Sequence, residues 1–219
     1  MISGFVFDMD GILFDTEKID RRCLNITAAR YNIKDISYFK SNGVGLNNEA
    51  TRKMYKSKLG EDFPYDEFRN SQRELMKSVI REEGLPVKPG AYMLLEYLKT
   101  NRYPLALATS TSKKSVMEHL KEARMEEYFV EIMTGDMVSN SKPHPEIYLT
   151  ACKKLGINPK ESIGIEDSPN GLKAVHAAGM ISIMVPDCIE YTEELSQYVT
   201  YKFNSLTDVL EALRKKELQ

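Results

Sequence analysis

Two pairs of acidic residues follow short apolar segments of the chain. Asp8 and Asp10 follow the first such segment, and Glu166 and Asp167 follow a later one. If both segments are strands of one parallel sheet, their carboxyl ends meet at the edge where open α/β proteins bind ligands. Four carboxylates at one edge repel one another unless a cation lies among them. Because carboxylate oxygens suit hard cations, this pattern predicts a Mg²⁺ site.

Hydroxyl and lysine side chains in two other segments could bind a phosphate group. Thr109 and Ser110 follow the apolar run 104–108 and precede a predicted helix. Their hydroxyls and the free backbone N–H groups of such a turn could cradle an anion. Lys142 lies in a segment that two nearby prolines hold extended, which fixes the position of its positive charge.

Each of these features has a simpler structural explanation when it is taken alone. An Asp-x-Asp-Gly segment also fits a surface turn, and hydroxyl or acidic residues also cap helices. Most lysines are solvated on the surface. The chemical interpretation therefore depends on all four segments lying at the ends of strands in one sheet.

The apolar segments along the chain predict the fold that positions these residues. Five short runs are largely free of charged side chains, as buried parallel strands are. They lie at 4–7, 104–108, 130–133, 162–165 and 181–185. Amphipathic helical patterns separate the later runs and close the chain. This alternation predicts an α/β fold with a Rossmann-like parallel sheet.

Residues 17–87 differ in composition from the rest of the chain. The region holds no convincing strand pattern and is rich in Lys, Arg, Glu and Asn. Three stretches have helical patterns, at 24–31, 50–59 and 68–80. A helical block between the first strand and the rest of the sheet predicts an inserted cap. The sequence therefore predicts an α/β catalytic core over residues 1–15 and 89–219 and a helical cap domain over 16–88.

Composition and charge exclude several classes of protein. The 219 residues include 30 Lys and Arg against 32 Asp and Glu, and the formal charge of -2 argues against the broad basic surface of a nucleic-acid-binding protein. The sequence shows neither a signal-peptide pattern nor the ~20 apolar residues of a membrane helix. Three cysteines without paired spacing indicate reduced thiols. We therefore expect a cytoplasmic monomer that binds neither nucleic acid nor membranes.

Taken together, the four polar segments resemble the four motifs of the haloacid dehalogenase-like phosphohydrolase superfamily. The matching segments occur in the family's order and are Asp8-Met9-Asp10-Gly11, Thr109-Ser110-Thr111, Ser141-Lys142-Pro143 and Gly164-Ile165-Glu166-Asp167. The likeness extends over essentially the whole chain. It is greatest to the branch of β-phosphoglucomutase and phosphoglycolate phosphatase, in which a helical cap follows the first motif.

The resemblance implies a role for each matched residue. Asp8 would attack phosphorus to form an aspartyl-phosphate, and Asp10 would protonate the leaving alcohol and then activate water. Thr109 and the backbone around Ser110 would bind the phosphoryl oxygens, whose charge Lys142 would neutralise. The Mg²⁺ ion would be held by Asp8, the backbone carbonyl of Asp10, Glu166 and Asp167.

The helical region favours a phosphatase over a mutase. Mutases of this branch carry a histidine five residues after the third aspartate of the first motif, whereas here Asp15 is followed at that distance by Asp20. They also carry an arginine soon after a Gly-Val pair, which the segment 43–49 lacks. Dehalogenation is disfavoured because Asp10, which that chemistry does not require, is present.

The sequence thus predicts a Mg²⁺-dependent phosphatase that hydrolyses a small phosphorylated metabolite, such as a sugar phosphate. The alternatives are a mutase of the β-phosphoglucomutase type and a non-catalytic binding module on the same fold. Candidates for contact with the rest of the substrate are Asp20, Asn47, Asn48, Glu49 and Lys53.

Overall fold

The sheet that the apolar runs predict is present. The computed structural model describes residues 2–43 and 48–218, and within them six strands form a parallel sheet of order β3-β2-β1-β4-β5-β6. The strands are β1 (Gly4–Phe7), β2 (Leu105–Ala108), β3 (Glu131–Met133), β4 (Ser162–Glu166), β5 (Ile181–Met184) and β6 (Tyr201–Lys202). The predicted α/β fold with a Rossmann-like parallel sheet is confirmed.

The pairing of the central strands brings the polar segments together. β1 lies between β2 and β4, and Phe7 pairs with Leu107 on one side and with Ile165 on the other. Asp8, which follows Phe7, therefore lies near the residues that follow Leu107 and Ile165. This register places three of the four polar segments at one edge of the sheet.

In the described residues, five α-helices lie between β1 and β2, and one α-helix follows each of β2, β3, β4 and β6. The helices are α1 (Thr16–Arg30), α2 (Ile36–Gly43), α3 (Asn48–Leu59), α4 (Tyr65–Glu83), α5 (Ala91–Thr100), α6 (Lys113–Glu122), α7 (Glu146–Leu155), α8 (Pro169–Ala177) and α9 (Leu206–Arg214). None of these helices is long and apolar enough to cross a membrane.

Two apolar clusters cover the two faces of the sheet. Phe5 and Phe7 of β1 pack in one cluster with residues of α5, α6 and α9. Val6, which points to the opposite face by strand alternation, packs in the other cluster with residues of α7 and α8. Since both faces are buried, the central strands are apolar throughout, as the sequence pattern indicates.

The chain divides into two compact units. The first consists of Met1–Asp15 and Leu85–Gln219 and contains the sheet, and the second is the helical segment Thr16–Gly84. The helical unit has an apolar core of its own, in which the Phe39 and Tyr55 rings stack with their centroids 4.1 Å apart. The roles of catalytic core and cap stay predictions.

The segment after the helical unit belongs to the sheet-containing unit. The Asp15 N–H donates to the Pro86 carbonyl at 2.9 Å, and the Lys88 N–H donates to the Leu13 carbonyl at 2.8 Å. Phe14 forms an antiparallel bridge with Val87 between them. This short ladder places residues 85–88, which the sequence analysis assigned to the cap, in the first unit.

Several elements depart from the sequence-based expectation. β6, α2 and α5 were not predicted, and the first helix begins at Thr16 instead of residue 24. Val130 lies outside β3 and is 68% exposed, because the strand begins one residue later. Leu149 of α7 is exposed although its side chain is apolar, and the neighbouring Tyr148 is buried.

Candidate active site

Three acidic residues meet at the end of β1 and β4. Asp8 follows β1, where its N–H donates to the Ile165 carbonyl at 3.0 Å and so continues the pairing with β4. Glu166 is the last residue of β4, and Asp167 follows it. Carboxylate oxygens of Asp8, Glu166 and Asp167 lie within 4.8 Å of one another, and all three residues are buried.

Lys142 inserts its ammonium group into this acidic cluster. Nζ lies 2.6 Å from Asp8 Oδ1 and 2.7 Å from Glu166 Oε1, and it also donates to the Ala108 carbonyl at 2.9 Å. These contacts use the three protons of the ammonium group. The side chain is 7% exposed, so a surface position for Lys142 is wrong. Its charge is fixed beside the carboxylate of Asp8.

The Glu166 carboxylate accepts hydrogen bonds from five donor groups. Oε1 accepts from Lys142 Nζ and, at 2.7 Å, from the Tyr148 hydroxyl. Oε2 accepts from the Asp167 N–H at 3.1 Å and from the N–H and hydroxyl of Ser168 at 3.3 and 3.0 Å. This side chain therefore joins Lys142 to the first turn of α8.

Two glycines leave room for these carboxylates. A Cβ on Gly171, in the first turn of α8, would lie 1.8 Å from Glu166 Oε1. A Cβ on Gly11 would lie 2.3 Å from Asp167 Oδ2, and Gly11 also has a φ of +86°, which disfavours other residues. Both positions require glycine because a buried carboxylate occupies the space of a side chain.

The pKa values of the three acidic residues shift in opposite directions, because Lys142 and hydrogen bonds act mainly on one of them. Burial raises the pKa of Asp8 to about 8, with the charges of Glu166 and Asp10 adding to the rise and Lys142 opposing it. Burial and the charges of Glu166 and Asp8 raise the pKa of Asp167 to about 9. Burial acts in the same sense on Glu166, but Lys142 and the hydrogen bonds outweigh it and lower its pKa. Two carboxyl groups thus favour protonation where no further cation is present.

Asp10 lies outside the acidic cluster and has a different partner. The Thr111 hydroxyl donates to Asp10 Oδ2 at 2.7 Å. Thr111 is in the loop after β2, so this contact joins the first polar segment to the second. Asp10 is also less buried than Asp8.

The loop after β2 presents Thr109 and Ser110 differently. Thr109 is 1% exposed, and its Oγ1 accepts a hydrogen bond from the Thr111 N–H at 3.1 Å. Its own N–H donates to the Met133 carbonyl. Ser110 is exposed, and its carbonyl packs so close to Gly135 that a Cβ there would lie 2.2 Å from the oxygen. The loop is therefore fixed at Thr109 and open at Ser110.

Sequence reasoning missed Tyr148 and gave Thr111 no role at the site. Thr111 belongs to the second polar segment, in which Thr109 and Ser110 were the residues predicted to bind phosphate. Tyr148 lies within the apolar pattern of α7, where the sequence does not distinguish a tyrosine that only packs in the core from one whose hydroxyl contacts the site. A pattern of apolar residues predicts that Tyr148 is buried, but it does not predict the partner of its hydroxyl.

The candidate contacts in the helical region have a separate environment. Asp20 Oδ1 accepts from Gln72 Nε2 at 2.8 Å, and Gln72 in turn accepts from Arg69. Glu49 and Lys53 form an ion pair on an exposed helix face, at 2.8 Å. The segment 44–47, which includes Asn47 and most of the stretch after the Gly-Val pair, lies outside the described residues, as does the side chain of Asn48.

Comparison with known proteins identifies relatives over most of the chain. The model of the haloacid dehalogenase-like hydrolase family matches residues 5–185. A phosphorylated carbohydrates phosphatase of Thermotoga maritima is 33% identical over 179 residues, which cover 82% of each protein. The resemblance to this family that the motifs indicate is confirmed.

Solved structures show the same relationship in three dimensions. CbbY of Rhodobacter sphaeroides in complex with phosphate is 27% identical, with a TM-score of 0.72 over 95% of this chain and 96% of CbbY. β-Phosphoglucomutase of Clostridium difficile, at 24% identity, shares the fold, with a TM-score of 0.79 over 99% of this chain and 97% of that protein. On the agreement of motifs, fold and relatives, the chain belongs to the haloacid dehalogenase-like hydrolase family.

Proposed function

We propose that the protein is a Mg²⁺-dependent phosphomonoester phosphatase that acts through a phosphorylated aspartate. The observation that carries this proposal is the contact between Lys142 Nζ and Asp8 Oδ1 at 2.6 Å. A buried ammonium group beside a carboxylate offsets the repulsion between that carboxylate and an incoming phosphate dianion. Membership of a hydrolase family supports the same chemistry.

Asp8 and Asp10 divide the reaction between a nucleophile and a proton carrier. An Asp8 oxygen forms a bond to phosphorus while the bond from phosphorus to the substrate oxygen breaks, and Asp10 gives its proton to that leaving oxygen. Asp10 then takes a proton from water, whose oxygen attacks phosphorus and displaces Asp8. Inorganic phosphate and the alcohol are the products. The Thr111 hydrogen bond holds Asp10 in place for both transfers.

The acidic cluster fits a hard cation such as Mg²⁺. Its donor atoms are all oxygens, and the raised pKa values of Asp8 and Asp167 mark two buried carboxyl groups that a cation would stabilise in the charged form. Asp8, Asp167 and the Asp10 carbonyl would hold the ion. Glu166, which the resemblance implies as a further ligand, already accepts five hydrogen bonds and would add its charge. The bound ion would supply positive charge that lowers the barrier for nucleophilic attack on phosphorus.

Thr109 and Ser110 are the proposed groups for the remaining phosphoryl oxygens. Thr109 is held by its hydrogen bonds to the loop, and the exposed Ser110 is accessible to a substrate. Preorganised donors of this kind bind the transferring group without reorganisation during the reaction.

A small phosphorylated carbohydrate is the proposed substrate class. The relative from Thermotoga maritima, at 33% identity, is named as a phosphatase of phosphorylated carbohydrates. Asp20, an acid bound to Gln72, stands where the mutases of this branch carry a histidine. This difference favours hydrolysis over transfer to a second sugar.

The test is hydrolysis of an aryl phosphate and of a panel of sugar phosphates, with Mg²⁺ and with EDTA. We expect Mg²⁺-dependent release of phosphate by the wild type and none above background by Asp8→Asn, which keeps the size of the side chain and removes the nucleophile. Asp208→Asn is the matched control, because Asp208 contacts Ser205 at the start of α9, and it should retain full activity.

Two outcomes would contradict the proposal. Equal rates for the wild type and Asp8→Asn would exclude the phosphorylated aspartate. Efficient conversion of β-glucose 1-phosphate to glucose 6-phosphate with a bisphosphate primer would instead show a mutase.

A further inference from the structure

The buried tyrosine of α7 contacts both charged groups that surround Asp8. The Tyr148 hydroxyl donates to Glu166 Oε1 at 2.7 Å. Its ring centroid lies 5.0 Å from Lys142 Nζ, within the range of a cation–π interaction. Tyr148 itself is fully buried. One side chain therefore contacts the phosphate-binding lysine through its ring and the partner of that lysine through its hydroxyl.

The hydrogen bonds of Glu166 leave it little freedom to move. A carboxylate offers about four lone-pair sites, and Glu166 receives five donor groups. Oε2 is held by the backbone and side chain at the start of α8. Among the described residues, Oε1 accepts hydrogen bonds from Lys142 and Tyr148 only. The hydroxyl of Tyr148 thus decides how strongly Oε1 attracts Lys142.

The Tyr148 hydroxyl is the donor of this hydrogen bond, because an ionised carboxylate can only accept. Glu166 Oε1 therefore has a second donor besides Lys142.

We propose that Tyr148 is a positioning residue whose hydroxyl, by sharing Glu166 Oε1, keeps Lys142 in place between Glu166 and Asp8. This role rests on the proposed function of Lys142 in binding the phosphoryl group. Without the hydroxyl, Glu166 Oε1 has Lys142 as its remaining donor and draws the ammonium group toward itself. Lys142 then offers less of its charge to Asp8 and to an incoming phosphate.

The variant that isolates the hydroxyl is Tyr148→Phe, which keeps the ring and its packing. We expect kcat/KM for an aryl phosphate to fall about tenfold and inorganic phosphate to inhibit about tenfold less well, as is usual when a group that orients a site residue is lost. Tyr92→Phe is the matched control, since the Tyr92 hydroxyl also donates a 2.7 Å hydrogen bond, to the Ala123 carbonyl. It should leave both constants unchanged.

A second readout follows Lys142 itself and does not need turnover. In protein labelled with ¹⁵N-lysine, the buried ammonium group of Lys142 should give a protected ¹H–¹⁵N signal, assigned by its loss in Lys142→Met. We expect this signal to shift or broaden in Tyr148→Phe and to stay in place in Tyr92→Phe. If Tyr148→Phe does not fold, Glu166→Gln replaces it, because weakening the same acceptor should move the same signal.

The outcomes separate this role from the proposed function. If the wild type hydrolyses phosphomonoesters and Tyr148→Phe matches Tyr92→Phe in rate, phosphate inhibition and Lys142 signal, the positioning role is wrong and the phosphatase stands. If the wild type hydrolyses nothing, the proposed function fails, and the Lys142 signal still reports on Tyr148. In a Glu166→Gln background the effect of Tyr148→Phe should disappear. Full additivity there would also overturn the role, because Tyr148 would not act through Glu166.

Discussion

Adjacent acidic residues at the end of β4 have opposite electrostatic environments. Glu166 accepts hydrogen bonds from Lys142, Tyr148 and the start of α8, and its pKa is lowered despite its burial. Asp167 lies beside the charges of Glu166 and Asp8, and its pKa is raised to about 9. Glu166 therefore keeps its charge through the groups that contact it, and Asp167 needs a further cation to keep its charge.

This difference predicts how pH affects the stability of the metal-free protein. The raised pKa values of Asp8 and Asp167, about 8 and about 9, mean that the folded state binds protons that the unfolded state releases above about pH 4. The contribution of these groups to stability is therefore greatest at low pH and is lost as the pH rises through 8 and 9. Bound Mg²⁺ requires the charged carboxylates, so its stabilising effect should increase over the same range.

The measurement is the urea midpoint of unfolding at pH 6 and pH 8.5, with EDTA and with Mg²⁺. We expect the gain in midpoint from Mg²⁺ to be larger at pH 8.5. Asp167→Asn provides the control, because a neutral side chain should reduce both the pH dependence and the gain. An equal gain at the two pH values would show that these carboxyl groups do not bind the ion.

The acidic groups of the site were predictable from the sequence, and the groups that orient them were not. Asp8 and Glu166 stand at the ends of apolar runs, Lys142 stands in another polar segment, and the structure brings the three into contact. Tyr148 belongs to an apolar helical pattern, and nothing in that pattern predicts a contact of its hydroxyl with the site. Hydrogen-bond partners across the fold depend on side-chain directions, which spacing along the chain does not determine.

At the scale of elements, the packing of α8 against β4 depends on two glycines with different neighbours. Gly171 leaves space for the Glu166 carboxylate, while a Cβ on Gly164 of β4 would lie 2.7 Å from both methyl groups of Val175 in α8. The two substitutions by alanine therefore crowd the same pair of elements. One disturbs a carboxylate of the site, and the other disturbs an apolar contact.

We predict that Gly171→Ala and Gly164→Ala destabilise the fold to a similar extent, by about 1–3 kcal/mol, as overpacking of a buried site does. Only Gly171→Ala should also lower kcat/KM, by about tenfold or more, because it displaces Glu166 and with it Lys142. Denaturant unfolding and aryl phosphate hydrolysis measure the two effects. Loss of activity in proportion to stability in both variants would contradict a specific role for Gly171.

The predicted strands are those with strong apolar patterns. The five apolar runs correspond to β1–β5, since each central strand is buried on both faces. β6 escaped prediction because it has two residues, Tyr201 and Lys202, and pairs at the edge of the sheet. The start of α1 was not predicted because its first turns are polar, and a helical pattern of apolar residues appears only where buried residues recur.

At the scale of the molecule, the helical unit is inserted between two neighbouring segments of the sheet-containing unit. The segment before the insertion pairs with the segment after it. The ladder between residues 13–15 and 86–88 brings Asp15 and Pro86 into hydrogen-bond contact at 2.9 Å. The apolar clusters that cover the sheet draw their buried residues from this unit alone. A unit of about 150 residues is large enough to bury a self-sufficient core.

We therefore predict that the helical unit can be removed without unfolding the rest. A variant in which a short Gly-Ser linker replaces Thr16–Gly84 closes a hairpin across the existing ladder, so its loop-closure cost is small. It should unfold cooperatively in urea and retain Mg²⁺-dependent hydrolysis of an aryl phosphate, because Asp8, Lys142, Glu166 and Asp167 all belong to the retained unit. The same variant carrying Asp8→Asn is the control for background hydrolysis.

Rates for different substrates in this variant test which of the two units selects the substrate. If the helical unit selects the substrate, the shortened protein should hydrolyse different sugar phosphates at similar rates, whereas the full chain should prefer some of them. A retained preference would assign selection to the sheet-containing unit. A shortened protein that folds but hydrolyses no aryl phosphate would show that the helical unit supplies a group needed for the reaction itself.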